Sequence, residues 1–302
     1  SEEKIRAYIE IGNNFIEAKR SDKAIETFDK AKINAENLDN VHRDAFLSNI
    51  AQGFLRAGSI ELADYALDLV TDKTQISSTL VGFAQEFWRK SEREEAVEAL
   101  EESYAILKSQ QDKETRDSRA KNALFAAIAV EFARFSKPER AIEIAQTNDD
   151  ETQANTALAQ IAQVCAAQGN DEWMRQAIQA INEDSSRMFA LIGVSDAKKN
   201  ADKKEEAVEI LNEAAQLAET VPQFPARSSA YNELAKRFIE YGDTERAREI
   251  SRENLEIIAQ IRDESSRAVA LAHTEEIYKQ AEFSLTDAEK EILLSLMRSA
   301  EW

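Results

Sequence analysis

The chain has 302 residues, and its 57 Asp and Glu against 38 Lys and Arg give a formal net charge of −19. Seven Gly and three Pro are too few for a turn-dense β-sandwich or barrel, or for a nucleotide-binding α/β fold with glycine loops. The one cysteine, Cys165, cannot form an internal disulfide or a cysteine metal cluster. The excess of acid disfavours nucleic acid and anionic membrane surfaces as partners, because binding to phosphate groups depends on Lys and Arg.

No apolar run is long enough to cross a bilayer. The longest, from Ala123 to Val130, has eight residues, whereas a transmembrane helix needs about 20. The first ten residues are charged and amphipathic and do not have the pattern of a signal peptide. These features favour a cytoplasmic protein, although a chain that begins at Ser1 is also compatible with a cleaved leader.

The first 40 residues contain a spaced set of small, aliphatic and aromatic residues. In chain order the set is Tyr8, Ile11, Gly12, Phe15, Ala24, Phe28 and Ala31. Spacings of three and four predict two amphipathic helices joined by a short turn. The arrangement resembles the tetratricopeptide repeat, whose paired helices approach closely at small residues.

The position of Ala24 recurs along the chain, which predicts about eight copies of one repeat. It is occupied in turn by Ala63, Ala96, Ala141, Met174, Ala207 and Ala247. Twelve residues before each of these stands a first-helix small residue, namely Ala51, Ala84, Ala129, Ala162, Ser195 and Ala235. Three residues after the small residue comes an aromatic slot, which holds Phe54, Phe87, Phe132, Cys165, Lys198 and Phe238.

Turns and repeat lengths follow from the same pattern. Gly58, Gly169 and Gly242 stand five residues before the second-helix small position, where a positive φ is easiest for Gly. The steps between repeats are unequal, from 33 to 45 residues. We therefore expect the second helices of the long units to continue for one or two extra turns. Residues 108–117 are predicted to form a polar connector, and residues 221–225 a proline-rich loop.

The resemblance implies an all-α fold, a right-handed α-α superhelix of the tetratricopeptide-like solenoid type with about eight helical hairpins. We expect residues 1–302 to form this superhelix as a single domain. The expected repeats are 4–40, 41–73, 74–117, 118–151, 152–184, 185–225, 226–264 and 265–302. The eighth is degenerate, with Leu271 and Ala288 in the corresponding places, and a terminal helix from Thr286 to Ala300 is expected to cap the array.

Basic residues recur at the start of the first helices. They stand four residues before the first apolar anchor and are Lys4, Arg43, Lys121, Arg187, Arg227 and Arg267. A cation in a first turn opposes the helix dipole and needs compensation. We expect each to bridge to acids or free carbonyls at the end of the preceding helix. The alternative is a basic rim that pairs with an acidic partner.

Residue patterns for catalysis or metal binding are hard to find. His42 and His273 belong to no HExxH-like motif, and we expect both to be structural. Cys165 occupies an aromatic slot and is expected to be buried. The acidic clusters lack the spacing of a calcium loop. We therefore expect no enzyme activity, no cofactor and no metal.

In tetratricopeptide proteins the first helices line a concave surface that receives an extended peptide or a helix. The two-carboxylate clamp of relatives that bind chaperone tails has two Asn, which Asn13 and Asn49 match, but Ile9, Ser78 and Gly82 stand in its cation positions. The clamp is therefore not available. The predicted partner-binding residues are Asn13, Asn49, Gln52, Gln85, Trp88, Arg89, Arg134, Gln163 and Lys236, with Val130 and Asp196 at the same turn of their helices.

These features predict a non-enzymatic scaffold or adaptor that binds a partner peptide or protein on the concave face. Trp88 is either an anchor for the partner or packs against the next hairpin. The net charge favours a basic partner, above all after residue 200, where 22 acidic residues face 13 basic ones. The alternatives are a regulatory protein that senses a peptide or ligand, an enzyme built on the repeat scaffold, and a self-assembling repeat protein.

Overall fold

The computed structural model describes residues 1–38, 42–110 and 115–299. Within these ranges the regular structure is α-helical and contains no β-strand. The chain divides into two compact units, residues 1–157 and residues 158–302. That the two units form the single domain expected from the sequence stays a prediction.

The first unit contains α1 (Glu2–Glu17), α2 (Ser21–Glu36), α3 (Arg43–Ala57), α4 (Ile60–Asp68), α5 (Lys73–Arg89), α6 (Arg93–Lys108), α7 (Thr115–Arg134) and α8 (Pro138–Gln146). Helix α9 (Glu151–Ala167) begins in the first unit and continues in the second. The second unit also contains α10 (Asp171–Gln179), α11 (Asp184–Asn200), α12 (Lys204–Ala218), α13 (Phe224–Tyr241), α14 (Thr244–Ile258), α15 (Glu264–Gln280) and α16 (Asp287–Ser299).

Consecutive helices pack as hairpins. In the first unit the pairs are α1 with α2, α3 with α4, α5 with α6, and α7 with α8, and the first helices α1, α3, α5 and α7 lie side by side. In the second unit α11 packs on α12, α13 packs on α14, and α13 lies beside α15. This arrangement confirms the predicted all-α array of tetratricopeptide-like hairpins.

The unequal repeat lengths come from the second helices, as expected. Helices α4, α8 and α10 have nine residues each, and the steps that follow them are the short ones. Helices α2 and α6 have 16 residues, and α12 and α14 have 15. Of the predicted polar connector, residues 108–117, only the ends are described: α6 continues to Lys108 and α7 begins at Thr115, whereas residues 111–114 lie outside the described residues.

Small residues allow the first hairpins to approach closely. Phe28 of α2 is fully buried between two glycines, Gly12 of α1 and Gly53 of α3. A Cβ atom at Gly12 would lie 2.7 Å from Phe28 Cε1, and a Cβ atom at Gly53 would lie 2.5 Å from it. Both distances are below van der Waals contact, so the aromatic ring can occupy this place only because both helices lack a side chain there.

Every hairpin turns through one residue with positive φ, five residues before the second-helix small position. These residues are Lys19, Gly58, Ser91, Ser136, Gly169, Asp202, Gly242 and Glu282. The next residue donates its N–H to the carbonyl of the aromatic slot, for example Ser59 to Phe54 and Glu92 to Phe87, both at 2.9 Å. This is the Schellman pattern of a helix end. The three turn glycines are confirmed, and five further turns use an ordinary L-residue.

The same turn corrects the register of the eighth hairpin. Phe283 donates its N–H to the carbonyl of Tyr278 at 2.8 Å, so Tyr278 occupies the aromatic slot. Five residues after Glu282 comes Asp287, and the predicted anchor Ala288 is therefore wrong by one residue and is exposed. Glu289 is buried instead and accepts hydrogen bonds from Tyr278 Oη at 2.9 Å and from Arg248 Nη2 at 2.9 Å.

The predicted buried side of the terminal helix α16 is confirmed in part. Leu296 is buried and Ile292 and Leu293 are half-buried, whereas the predicted Met297 lies outside the described side chains. Thr286 and Glu289 form a reciprocal capping box, because Thr286 N donates to Glu289 Oε2 at 2.6 Å and Glu289 N donates to Thr286 Oγ1 at 3.3 Å.

Five of the six basic residues at the helix starts bind backbone carbonyls, which confirms their structural interpretation, whereas Lys4 lies over the Tyr8 ring, 5.7 Å from its centroid. Four of them reach the end of the preceding second helix: Lys121 to Gln110 (2.9 Å), Arg187 to Ile181 (2.6 Å), Arg227 to Val221 (2.7 Å) and Arg267 to Ile261 (3.5 Å). Arg43 instead donates to the carbonyl of Leu69, at the end of the helix that follows it, at 2.9 Å. These cations compensate carbonyl groups that a helix end leaves unpaired.

A reciprocal exchange tests the turn. Ser91 has φ of 69° and Gly58 has φ of 94°, with no atom near a Cβ placed at Gly58. We expect Ser91→Gly to raise the free energy of unfolding by about 0.5–1 kcal/mol, since relief of left-handed strain exceeds the entropy cost of glycine. Gly58→Ser should lower it by a similar amount. Urea denaturation measures both, and shifts in the same direction would contradict the role of the turn.

Candidate functional site

A groove of about 350 Å³ lies between the first helices α3 and α5 of the first unit. Its lining residues are Gln52, Leu55, Arg56, Gly82, Phe83, Gln85, Glu86 and Arg89. Three of the predicted partner-binding residues, Gln52, Gln85 and Arg89, are among them. The structure thus brings these three side chains to one surface.

A glycine makes room for the Gln52 side chain. A Cβ atom placed on Gly82 would lie 2.8 Å from Gln52 Nε2, so the amide lies directly over the backbone of the neighbouring helix. The arrangement recurs in the second unit, where a Cβ atom on Gly193 would lie 2.2 Å from Gln163 Nε2. Both glycines stand two residues before the small position of their repeat. The same pairing of amide and glycine therefore occurs at the same repeat position in both units.

Two buried carboxylates hold two exposed arginines at this surface. Arg89 donates to Glu86 through Nε at 3.0 Å and Nη2 at 2.6 Å. Arg134 of α7 donates through Nη1 to Glu131 Oε1 at 2.5 Å, and Gln85 Nε2 donates to the same oxygen at 3.0 Å. The Glu side chains are 10% and 7% exposed, whereas the Arg side chains are 70% and 55% exposed. An approaching molecule therefore meets the cations first.

The ionisation of Glu86 follows from these contacts. Burial by itself would raise the pKa of Glu86, but the hydrogen bonds from Arg89 and the nearby charges of Arg89 and Lys90 outweigh it. The pKa of Glu86 is therefore lowered, and its carboxylate stays charged in neutral solution. Lys90 also donates to the carbonyl of Leu55 at 3.0 Å, which connects α5 to α3.

Arg56 is a site residue that the sequence analysis missed. It is exposed on α3, and its Nη2 donates to Oδ1 of the predicted Asn13 on α1 at 2.8 Å. Arg56, Arg89 and Arg134 stand five residues after the small position in three successive first helices. That regular spacing is visible in the sequence and could have found Arg56.

Trp88 packs against the next hairpin. Its ring stacks on Phe135, which follows α7, with centroids 4.3 Å apart and planes 10° apart. The Arg93 guanidinium lies over the Trp88 ring at 3.6 Å from its centroid, and since Phe135 is stacked on one face, Arg93 must occupy the other. Both faces of the ring are covered, as in the packing alternative, and a direct role of Trp88 in partner binding stays a prediction.

The remaining predicted residues lie in different surroundings. Asn49 is exposed on α3, and Lys236 is exposed on α13 in the second unit. Val130 is buried and belongs to the core. Asp196 accepts from Arg237 Nε at 3.0 Å and from Tyr241 Oη at 2.7 Å. The roles of Asn49, Gln163 and Lys236 in partner binding stay predictions.

Lys198 fills an aromatic slot with a buried charge. Its side chain is 1% exposed, and its Nζ forms ion pairs with Asp171 of the preceding hairpin and with Glu206 of its own, the latter at 2.7 Å. Burial by itself would lower the pKa of Lys198, but the hydrogen bonds with both carboxylates outweigh it and the pKa is raised. The ammonium group stays charged inside the second unit.

None of the groups considered for chemistry is among the residues that line the groove. Cys165 is fully buried, and burial raises the pKa of its thiol to about 11. His42 is exposed at the start of α3, and His273 is exposed on α15. The described residues contain no group of three His, Cys, Asp or Glu that could hold a metal ion. Among the same residues, none of the helices combines the length and the apolarity needed to span a bilayer.

The second unit has a larger groove of about 990 Å³ beside α15 and α16. Its apolar lining includes Leu271, Tyr278, Phe283, Leu293 and Leu296. Sequence analysis did not predict it, because it assigned the apolar side of α16 to capping alone. The groove shows that this side is only partly covered.

Comparison with family models and with curated proteins gives no match. Among solved structures, a tetratricopeptide repeat protein from Parabacteroides merdae is 16% identical, with 90% of this chain and 99% of that chain covered and a TM-score of 0.35. The apo form of the quorum sensor NprR from B. thuringiensis is 14% identical, with 97% and 86% covered and a TM-score of 0.36. A Rap protein complexed with Competence and Sporulation Factor is 12% identical, with 99% and 94% covered and a TM-score of 0.33. At these TM-scores none of the three indicates what this chain binds.

The ion pair at Glu86 predicts a pH dependence. Because the pKa of Glu86 is lower in the folded state than its unfolded value of about 4.3, the charged form stabilises the fold above that value and the contribution is lost as the pH falls. We expect Glu86→Gln to cost about 1 kcal/mol at pH 7. Denaturation at pH 7 and at pH 3.5 measures the difference from wild type, which should shrink in acid. A difference that grows in acid would contradict the assignment.

Proposed function

We propose that this chain is a non-enzymatic protein-interaction module, and that its first unit binds an extended segment of a partner protein along the first helices α1, α3, α5 and α7. The observation that carries the proposal is the groove between α3 and α5. Two amides, Gln52 and Gln85, and two arginines, Arg56 and Arg89, line it together. Side chains from the same repeat positions continue this surface on α1 and α7, namely Asn13 and Arg134.

The amides suit an extended peptide. Each residue of such a peptide carries one N–H and one C=O without a partner, and a carboxamide can pair with either. Gln85 already donates to Glu131, which leaves its Oε1 to accept a hydrogen bond from the ligand. Gln52 is confined over Gly82. Side chains fixed before binding lower the entropy cost of association.

The same mode extends to the second unit as part of the proposal. Gln163 over Gly193 repeats the pairing of Gln52 with Gly82, and Lys236 is exposed on α13. We assign no catalytic role, because the buried thiol of Cys165 has a raised pKa and the two His residues belong to different units. A partner protein or peptide is therefore the proposed ligand.

Selection from a library tests the proposal. Random ten-residue peptides displayed on phage are selected against the wild-type chain, and the enriched peptides are synthesised and titrated by fluorescence anisotropy. We expect the double variant Gln85→Ala, Arg89→Ala to lose at least tenfold in affinity, because two side-chain hydrogen bonds to the ligand are removed.

Lys30→Ala is the matched control, since Lys30 is an exposed cation on the second helix α2. It should bind the selected peptides like wild type. Equal affinities for the double variant and for wild type would place binding elsewhere and overturn the proposed surface.

Gly82→Ala separates the groove from the stability of the fold. The three atoms nearest to the added Cβ all belong to the Gln52 side chain, which can move away, and Ala favours a helix over Gly by about 1 kcal/mol. We expect unchanged or higher stability in urea together with a several-fold loss of peptide affinity, because the amide is displaced. Wild-type affinity in Gly82→Ala would contradict the role of Gln52.

A further inference from the structure

Three arginines form a strip across the first unit. Arg56, Arg89 and Arg134 stand at one repeat position on α3, α5 and α7, and these helices are neighbours. Arg56 and Arg89 line the same groove. Glu131, which holds Arg134, also accepts a hydrogen bond from Gln85 of that groove. We call these three residues the arginine strip.

The strip keeps a positive charge in an acidic unit. Residues 1–157 contain 21 Lys and Arg against 30 Asp and Glu. Among the described residues Glu86 pairs with Arg89 and Glu131 pairs with Arg134, and both carboxylates lie beneath the arginines with side chains 10% and 7% exposed. Lys90, which also contacts Glu86, adds a fourth cation. The groups that the strip exposes to solvent are therefore mainly guanidinium groups.

Arg56 is the least compensated member. Its hydrogen bond goes to the neutral amide of Asn13, and no carboxylate of the described residues lies within ion-pair distance of it. The equivalent position on α1 is Glu17, and in the second unit it is Ala167, Asn200, Glu240 and Gln280. The strip is therefore confined to α3, α5 and α7.

We propose that the arginine strip binds an acidic segment of the partner protein, with side-chain carboxylates as the recognised groups. This inference rests on the proposed function and names the chemistry of its ligand. The planar guanidinium donates in parallel to both oxygens of a carboxylate, and such charge-assisted hydrogen bonds are about twice as strong as neutral ones. The overall charge of −19 favours a basic partner at long range, whereas the exposed groups of this groove favour acid at contact.

The spacing of the helices specifies the spacing of the acids. Packed helices lie about 8–10 Å apart. An extended chain in the polyproline II conformation repeats every three residues and rises about 9 Å in that distance. Its side chains at i, i+3 and i+6 then face the same way at nearly the separation of the three arginines. The strip therefore fits a segment with Asp or Glu at every third residue.

Three peptide libraries test the inference. Each consists of ten-residue peptides with residues 2, 5 and 8 fixed as Glu, Gln or Lys and with uncharged residues randomised elsewhere. We expect the Glu library to bind at least tenfold more tightly than the Gln library in fluorescence anisotropy. The triple variant Arg56→Gln, Arg89→Gln, Arg134→Gln should remove that preference.

Matched variants separate charge at the strip from charge in general. The triple variant Lys23→Gln, Lys30→Gln, Lys137→Gln removes three exposed cations outside the strip and should keep the preference for Glu. Because Arg89 and Arg134 hold buried carboxylates, the single variant Arg56→Gln guards against misfolding. It should keep wild-type stability in urea and lower the affinity for the Glu library about fivefold.

The outcomes distinguish this inference from the proposed function. Equal binding of the Glu and Gln libraries, or stronger binding of the Lys library, would overturn the acidic ligand. If that binding were still lost in Gly82→Ala, the proposed function would stand. No binding of any library would overturn both.

Discussion

The hairpins depend on one backbone constraint, the left-handed residue that ends each first helix. The Schellman hydrogen bond that follows it, such as Ser59 N to Phe54 O, reverses the chain and sets the second helix against the first. Only then can Phe28 reach Gly12 and Gly53. The same reversal also lets the first helices of the first unit lie side by side, so that residues from one repeat position form a continuous row.

The candidate surface is a consequence of that row. An amide follows the small position directly, as in Gln52 and Gln85, and an arginine stands four residues further on. The carboxylate of Glu86 beneath Arg89 is kept ionised by that arginine, as the lowered pKa of Glu86 shows. A buried acid thus fixes an exposed cation without cancelling it, since the guanidinium remains the group in contact with solvent.

Much of this could be predicted from the sequence, and the failures have physical reasons. The first hairpin could be predicted from Gly12, Ala24 and Phe28, because few side-chain sizes fit where two helices are in close contact. The turns at Lys19 and Ser91 escaped prediction, because an L-residue that tolerates strain has no distinctive pattern. Ala288 was misplaced, since the second-helix position falls on the exposed Asp287 and the residue buried nearby, Glu289, is polar. Arg56 was overlooked although its spacing was regular, and Trp88 stayed ambiguous because a sequence does not show which ring faces are covered.

The buried charge of Lys198 affects which hairpins can pack together as the chain folds. Because the hairpins are similar, one can pack against the wrong neighbour, and such misassembly is a characteristic failure of repeat proteins. The buried ammonium needs Asp171 from the preceding hairpin and Glu206 from its own. A chain that joined the sixth hairpin to any other neighbour would leave a charge buried without its full set of partners, at a cost of several kcal/mol. Lys198 therefore favours the assembly in which the fifth and sixth hairpins pack in their order along the chain, because only then are both of its ion pairs formed.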